Sequence, residues 1–258
     1  MDKFDLSLKL NEIGLNAKKA QSHIAFSKHS IRNNALLNTA VNLRKNIKEI
    51  ISINKKDVLN AKQNKLKDSF IDRLFLDASR VEAMSKSLED ISSLNDPLGK
   101  NLSSWVRPNG LKISRVSTPI GVIGFIYESR PNVTVDASGL AIKSGNSIIL
   151  RSGSDGFETS NFISKIIRKS LKEVGLQENV VQIIPTKERA AVGYLLGMSD
   201  FIDVIIPRGG RSLVERVQKE AKVPVFSHLE GVCHTYIDRY ADFQKAISIT
   251  VNAKMRRT

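Results

Sequence analysis

Residues 119–155 read PIGVIGFIYESRPNVTVDASGLAIKSGNSIILRSGSD. An apolar run, Val122 to Tyr127, is followed by a polar loop and by a helical pattern that opens after Asn132. Ser144-Gly145-Asn146 makes a turn, and a second apolar run, Ser147 to Leu150, ends in Arg151-Ser152-Gly153-Ser154-Asp155. Strand, crossover helix and strand make a βαβ unit, which implies a parallel sheet covered by helices. Ligands of such sheets sit beyond the carboxyl ends of the strands. Polar residues collect at those ends: Glu128, Arg130 and Asn132 after the first strand, Arg151, Gly153 and Ser154 after the second. The pattern predicts an α/β fold with a site for an anionic small molecule.

Upstream, SSWVRPNGLKISRV switches to a period of two. It predicts a hairpin over about 103–118, turning at Pro108-Asn109-Gly110, where Asn-Gly tolerates positive φ. Residues 3–63 read as two long helices, with Leu37, Val41, Leu43, Ile47, Ile50 and Ile51 near a helical period. Residues 67–93 continue as helix until Asn95-Asp96-Pro97-Leu98-Gly99 breaks it. Downstream the alternation continues. A helix over about 158–174 stops near Gly175, and a strand follows at Val180–Ile184. Next come a helix over about 186–197, a strand at Phe201–Ile206, the loop Pro207-Arg208-Gly209-Gly210, and a helix from about Ser212 to Lys222. Strands at Val223–Phe226 and Cys233–Ile237 and a helix from about Ala241 complete the pattern.

Composition narrows the class. With 258 residues, 41% hydrophobic and 26% charged, the chain has ordinary globular usage and length for a substantial core. A single cysteine, Cys233, excludes an internal disulfide and suggests a reducing compartment. The start, MDKFDLSLKL, carries acids and does not read as a signal peptide. No apolar run approaches the ~20 residues that span a membrane, so no membrane partner is expected. The net charge of +14 comes largely from lysines scattered on amphipathic surfaces, such as Lys45, Lys48, Lys55 and Lys56. Aromatics are 6% and do not interleave with a basic run, so this reads as a solvated lysine surface rather than a nucleic-acid footprint. His23, His29, His228, His234 and Cys233 show no ligand spacing, and no metal is expected.

Three segments are candidates for the site, each with a plainer alternative. Pro207-Arg208-Gly209-Gly210 joins an apolar strand to a helix. Its glycines would admit a phosphate to the helix N-terminus and its arginine would add a charged fork, but a tight turn also wants glycine. Arg151-Ser152-Gly153-Ser154 could hold a ribose or its phosphate, or be a turn with Ser154 or Asp155 as helix cap. Glu128-Ser129-Arg130-Pro131-Asn132 sets an acid, a base and an amide directly after a strand, for substrate binding or oxyanion contacts, where an ordinary polar loop is the alternative. Cys233 and His234, adjacent in an expected strand, would point to opposite faces, which leaves Cys233 a core residue.

The chain resembles the γ-glutamyl phosphate reductase branch of the aldehyde dehydrogenase superfamily from about Ala17 to Lys254. The resemblance rests on DRLFL (72–76), NDPLGK (95–100), RPNGLKISRVSTPIGVIGFIYESRPNVTVDAS (107–138), KSGNSIILRSGSD (143–155), IIPRGGRSLV (205–214) and GVCHTYID (231–238). It implies a Rossmann-type NADP-binding domain over 1–227, with the hairpin as part of an oligomerisation ribbon, and a catalytic domain beginning at 228–258. The implied reaction is the cytoplasmic reduction of L-glutamate 5-phosphate by NADPH to L-glutamate 5-semialdehyde in proline synthesis. The chemistry passes through a cysteine thiolate, and the full-length family implies a homo-oligomer. By position, Arg151, Gly153 and Ser154 correspond to the adenosine-ribose side of the NADP(H) site. Pro207, Arg208, Gly209 and Gly210 correspond to the loop carrying the cofactor phosphates or facing the nicotinamide, and Arg130 and Asn132 to substrate-facing residues.

The family's nucleophile follows a motif of the form N-A-K-x-Q-R-P-x-x-C. Here Asn252, Ala253 and Lys254 are followed by Met255, Arg256, Arg257 and Thr258, with Arg256 in place of glutamine and Thr258 in place of proline. The nucleophilic cysteine is expected beyond Thr258, so no catalytic residue is assigned. The resemblance then implies a truncated chain, inactive alone; the alternative is a non-catalytic nucleotide- or partner-binding fragment. Where hydrolytic relatives carry a glutamate base the chain has His228, with Glu230 two residues on, as suits a reductase with no deacylating water to activate.

Overall fold

The structure, a computed structural model, describes residues 3–128, 130–227 and 233–255. The chain divides into two units, Met1–Ser227 and His228–Thr258. The first unit opens with helices α1 (Lys3–Ile24), α2 (His29–Lys45), α3 (Ile47–Gln63), α4 (Asp68–Leu74) and α5 (Ala78–Ser93). An antiparallel hairpin, β1 (Asn101–Val106) and β2 (Lys112–Val116), turns at Gly110, whose φ of 84° is open to glycine. Then come β3 (Val122–Tyr127), α6 (Pro131–Lys143), β4 (Ser147–Arg151), α7 (Phe157–Glu173), β5 (Val181–Ile183), α8 (Ala190–Leu196), β6 (Val204–Arg208) and α9 (Arg211–Glu220).

The four later strands form one parallel sheet in the order β5-β4-β3-β6. Strand residues alternate between two cores. Ile123, Tyr127, Ile148 and Leu150 pack with residues of α2, α5, α6 and α7. Val122, Ile126, Ile149 and Ile205 pack with Leu6 and Leu10 of α1, Leu195 of α8 and Val217 of α9. Helices on both faces explain why these strands read as continuous apolar runs. The connections from β3 to β4 and from β4 to β5 step one way, while β6 returns to the other side of β3. The order therefore reverses between β3 and β6, and such a reversal opens a crevice at the carboxyl edge.

Side chains clasp the amino edge. Gly121 N–H donates to Asn146 Oδ1 (2.9 Å), Val122 N–H to Asp203 Oδ2 (2.7 Å) and Ser147 N–H to Gln21 Oε1 (2.5 Å). A second brace joins α3 to the end of α4 and to α7. Buried Asn54 donates to Leu74 O (2.9 Å) and Thr159 Oγ1 (3.3 Å) and accepts from Leu76 N–H (2.7 Å). Asp57, one turn later, accepts from Thr159 N–H (2.9 Å) and Oγ1–H (2.7 Å), capping α7 from another helix. Burial pushes the Asp57 carboxyl above its usual range, an effect that the two Thr159 hydrogen bonds oppose.

The second unit holds α10 (Phe243–Met255), none of whose residues is buried. Tyr236, Ile237, Tyr240, Phe243 and Ile247 are all exposed. Among the described residues no helix is long and apolar enough to cross a membrane.

Several expectations need correction. Residues 3–63 form three helices rather than two, since the chain is broken at 25–28 and again at Asn46. Residues 67–93 form two, because Asp77 caps α5 by accepting from Arg80 N–H (2.8 Å). The hairpin strands span 101–116 rather than 103–118. Helix α6 begins at Pro131, whose fixed φ suits a first helical position, and so already contains Asn132. The strand expected at 201–206 runs over 204–208 and takes in Pro207 and Arg208. Ile205 N–H donates to Pro224 O (2.8 Å), away from β3, while Glu128 N–H donates to Arg208 O (3.3 Å). By alternation Pro207 turns its missing N–H outward, where no ladder bond is lost. The strand expected at Val223–Phe226 reduces to a single bridge from Val225 to Ile205. Residues 233–237 form no strand and Cys233 is exposed, because alternating apolar residues without a partner strand have no ladder to join.

Candidate functional site

The carboxyl edge of the sheet brings the three candidate segments together. Ile126 of β3 pairs with Arg151 of β4 on one side and with Pro207 of β6 on the other. Tyr127 pairs with Arg208. At this edge, where the strand order reverses, a cavity of about 280 Å³ is lined by Phe70, Arg73, Glu128, Arg130, Arg208, Gly209 and Gly210. The end of β3 is held firmly. Tyr127 is buried, its hydroxyl lies 2.6 Å from Thr134 Oγ1 in the first turns of α6, and burial pushes the phenol up to about 12.

Gly209 and Gly210 lead directly into α9. Gly210 N–H donates to Glu128 Oε2 (3.0 Å). A Cβ on Gly209 would stand 2.6 Å from the same oxygen and 2.7 Å from Leu213 Cδ2. A side chain here would push Glu128 or Leu213 aside, so glycine lets an anion come close to the helix N-terminus, which is also where a phosphate would be favoured.

Arg151 is 8% exposed, and its Nε has no hydrogen-bond partner. Its one hydrogen bond among the described residues runs from Nη2 to Lys187 O (3.4 Å). Burial draws the guanidinium below its ordinary value; Glu128 opposes that shift, and Arg189 and Arg216 add to it. Arginine keeps its charge in proteins, so this is a buried cation in a basic neighbourhood with one carboxylate nearby. Such an arrangement suits an anionic ligand. Gly153 is buried; Ser154 is exposed and opens a short 3-10 turn before α7. Ser154 lines a second cavity of about 260 Å³, together with Asp57, Asn60, Ala61, Gln63, Asn64, Asp155 and Lys187.

The two substrate candidates separate. Arg130 lines the larger cavity, whereas Asn132 directs Nδ2 to Asp136 Oδ2 (3.2 Å) within α6. Ser129, His228 and Glu230 lie outside the described residues. Sequence reading noticed Glu128 for its polarity but gave no sign of its contact with Gly210, 82 residues away. It missed Phe70 and Arg73 of α4 altogether, since a helical DSFIDRL carries no signal of facing a cavity.

Fold and edge together define a doubly wound α/β domain whose ligand crevice carries arginines, one carboxylate and a glycine pair. The aldehyde dehydrogenase family model matches residues 9–258, and the chain belongs to that family. It is 54% identical over 247 residues to the γ-glutamyl phosphate reductase of Rhodospirillum rubrum, with 96% of this chain and 58% of that protein covered. It is 50% identical to the enzyme of the same name from Parvibaculum lavamentivorans over 100% of this chain and 61% of that one. The crystal structure of γ-glutamyl phosphate reductase from Thermotoga maritima superposes with a TM-score of 0.90 at 40% identity, covering 96% of this chain and 60% of that one. The chain thus spans roughly three-fifths of the length of these relatives.

Proposed function

We propose that the Met1–Ser227 unit binds NADP(H) along the carboxyl edge of β4, β3 and β6. The chain would then carry the cofactor-binding part of a cytoplasmic reductase acting on L-glutamate 5-phosphate to give L-glutamate 5-semialdehyde in proline synthesis. The observation that carries this reading is the arginine- and glycine-lined cavity at the point where the strand order reverses. The substrate comes from the names of the similar enzymes.

The residues present fit the cofactor. Buried Arg151 lacks a partner at Nε and is the cation for the adenosine-ribose side, beside Gly153 and Ser154. Pro207 lies on the outward edge of β6, Arg208 ends the strand, and Gly209 and Gly210 let backbone amides approach the cofactor phosphates. Arg130, in the same cavity, holds the acyl phosphate. Asn132, held by Asp136, orients the first turn of α6 and is the weaker substrate contact. NADPH supplies a hydride when bound. Residues 228–258 are the opening of the catalytic domain, and the exposed hairpin β1–β2 is the ribbon through which copies assemble.

The one thiol of the 258 residues, Cys233, stands outside the N-A-K motif that the family's nucleophile follows. The 258-residue chain therefore binds cofactor without turning over acyl phosphate. Calorimetric titration with NADPH tests this reading: saturable binding is expected, with no NADPH oxidation when glutamyl phosphate is added. Absence of NADPH binding sinks the cofactor assignment, and turnover sinks the assignment of an inactive chain.

A further inference from the structure

Glu128 occupies the seat that the proposed cofactor phosphate needs. Its Oε2 accepts the first free amide of α9, Gly210 N–H, at 3.0 Å, and it lies against Gly209 so closely that a Cβ there would meet it at 2.6 Å. Glu128 lines the cavity beside Arg208 and Arg130, and its charge also reaches buried Arg151. A carboxylate and a phosphate oxygen cannot share one N–H at a helix N-terminus, and held side by side they repel.

We propose that Glu128 is an internal anion that competes with the dinucleotide phosphate for the N-terminus of α9 and so sets the cofactor affinity of this edge. This rests on the reading of the edge as a cofactor site. In the closed state the carboxylate satisfies Gly210 N–H and offsets the arginine charge, keeping an otherwise purely cationic crevice in one arrangement. Cofactor enters when the carboxylate swings from α9 toward solvent, which the exposed position of Glu128 permits. The apparent affinity is then the intrinsic affinity reduced by the fraction of molecules in which the seat is open. Arg151, buried and without a partner at Nε, gives the incoming phosphate or ribose a second contact that Glu128 does not block.

Glu128→Gln keeps size and an acceptor for Gly210 N–H while removing the charge; Glu128→Ala removes the competitor. The full 258-residue chain and both variants are titrated with inorganic pyrophosphate and with NADPH, and their thermal midpoints are measured without ligand. Both variants are expected to bind pyrophosphate and NADPH about tenfold more tightly, the size of one charge-assisted contact removed from competition. A role as helix cap alone predicts a lower thermal midpoint with unchanged affinities, and that result overturns the proposal. So does weaker NADPH binding with unchanged pyrophosphate binding, which would make Glu128 a ligand for cofactor hydroxyls, and so does failure of pyrophosphate to bind any of the three proteins. If pyrophosphate binding tightens as expected while NADPH does not bind at all, the competition stands and the cofactor reading falls.

Discussion

Arg151 and Pro207 stand on one rung of the sheet, each paired to Ile126 from opposite sides. Two segments 56 positions apart in the chain therefore reach the same edge at the same height. A dinucleotide lying across β4, β3 and β6 would meet the buried guanidinium at one end and the Arg208–Gly210 loop at the other. Arg151→Ala is expected to weaken NADPH binding by about 1.5–3 kcal/mol, the worth of one charge-assisted contact in a buried setting. Arg208→Ala acts in the same direction with a smaller loss, because exposed Arg208 is screened by solvent. Unchanged titration curves for both variants would remove the two arginines from the site.

Asn54→Ala is expected to destabilise the first unit by about 2–4 kcal/mol, since Leu76 N–H would be left buried without an acceptor and α3 would lose its tie to Thr159. Urea unfolding measures this. A loss below about 0.5 kcal/mol, the scale of an ordinary surface change, would mean that water takes over the three bonds.

Asp57 gives a pH dependence of definite sign. Its folded value is raised, so the folded chain holds that proton more tightly than the unfolded chain does. The stability this group contributes is complete below its unfolded value of about 3.9 and is lost as pH rises through the raised folded value. Asp57→Asn keeps an acceptor for both Thr159 donors and removes the desolvated charge. Relative to wild type, the variant is expected to be more favourable at pH 7 than at pH 4. Equal differences at the two values would show that the carboxylate is not strained by burial.

Cys233 is exposed, contrary to its expected place inside a strand. A thiol reagent should modify one site per native chain without denaturant, and Cys233→Ser should abolish the reaction. A thiol that reacts only after unfolding would restore the buried assignment.

The parts of the fold that could be read in advance are those with purely local causes. Runs such as Val122–Tyr127 and Ser147–Leu150 are apolar on both faces because helices cover both sides, and Pro108-Asn109-Gly110 announces its turn by the positive φ at Gly110. What could not be read depends on partners far away in the chain. Pro207 can sit in a strand only because β6 has β3 on one side and little more than the Val225 bridge on the other. The segment after Cys233 has a strand's alternation but no paired strand among the described residues. At the edge, Arg151 and the glycine loop were legible as candidates from their place after apolar runs. The hold of Glu128 on Gly210, the entry of α4 into the cavity and the tie of Asn132 to Asp136 depend on three-dimensional packing or on which rotamer a side chain adopts.

The clasps on Gly121, Val122 and Ser147 give the two ends of the same strands different lifetimes. At the clasped end the amide of fully buried Ser147 trades its hydrogen for deuterium only when both Gln21 and the Gly121 carbonyl let go. At the other end Gly210 trades whenever one exposed carboxylate lets go. An isotope-exchange record taken at Ser147 and at Gly210 in the same sample therefore holds two clocks. One counts openings where α1 and the start of β3 meet β4 and the other counts visits of a single side chain, and a ligand seated at the edge should slow the second while leaving the first nearly untouched.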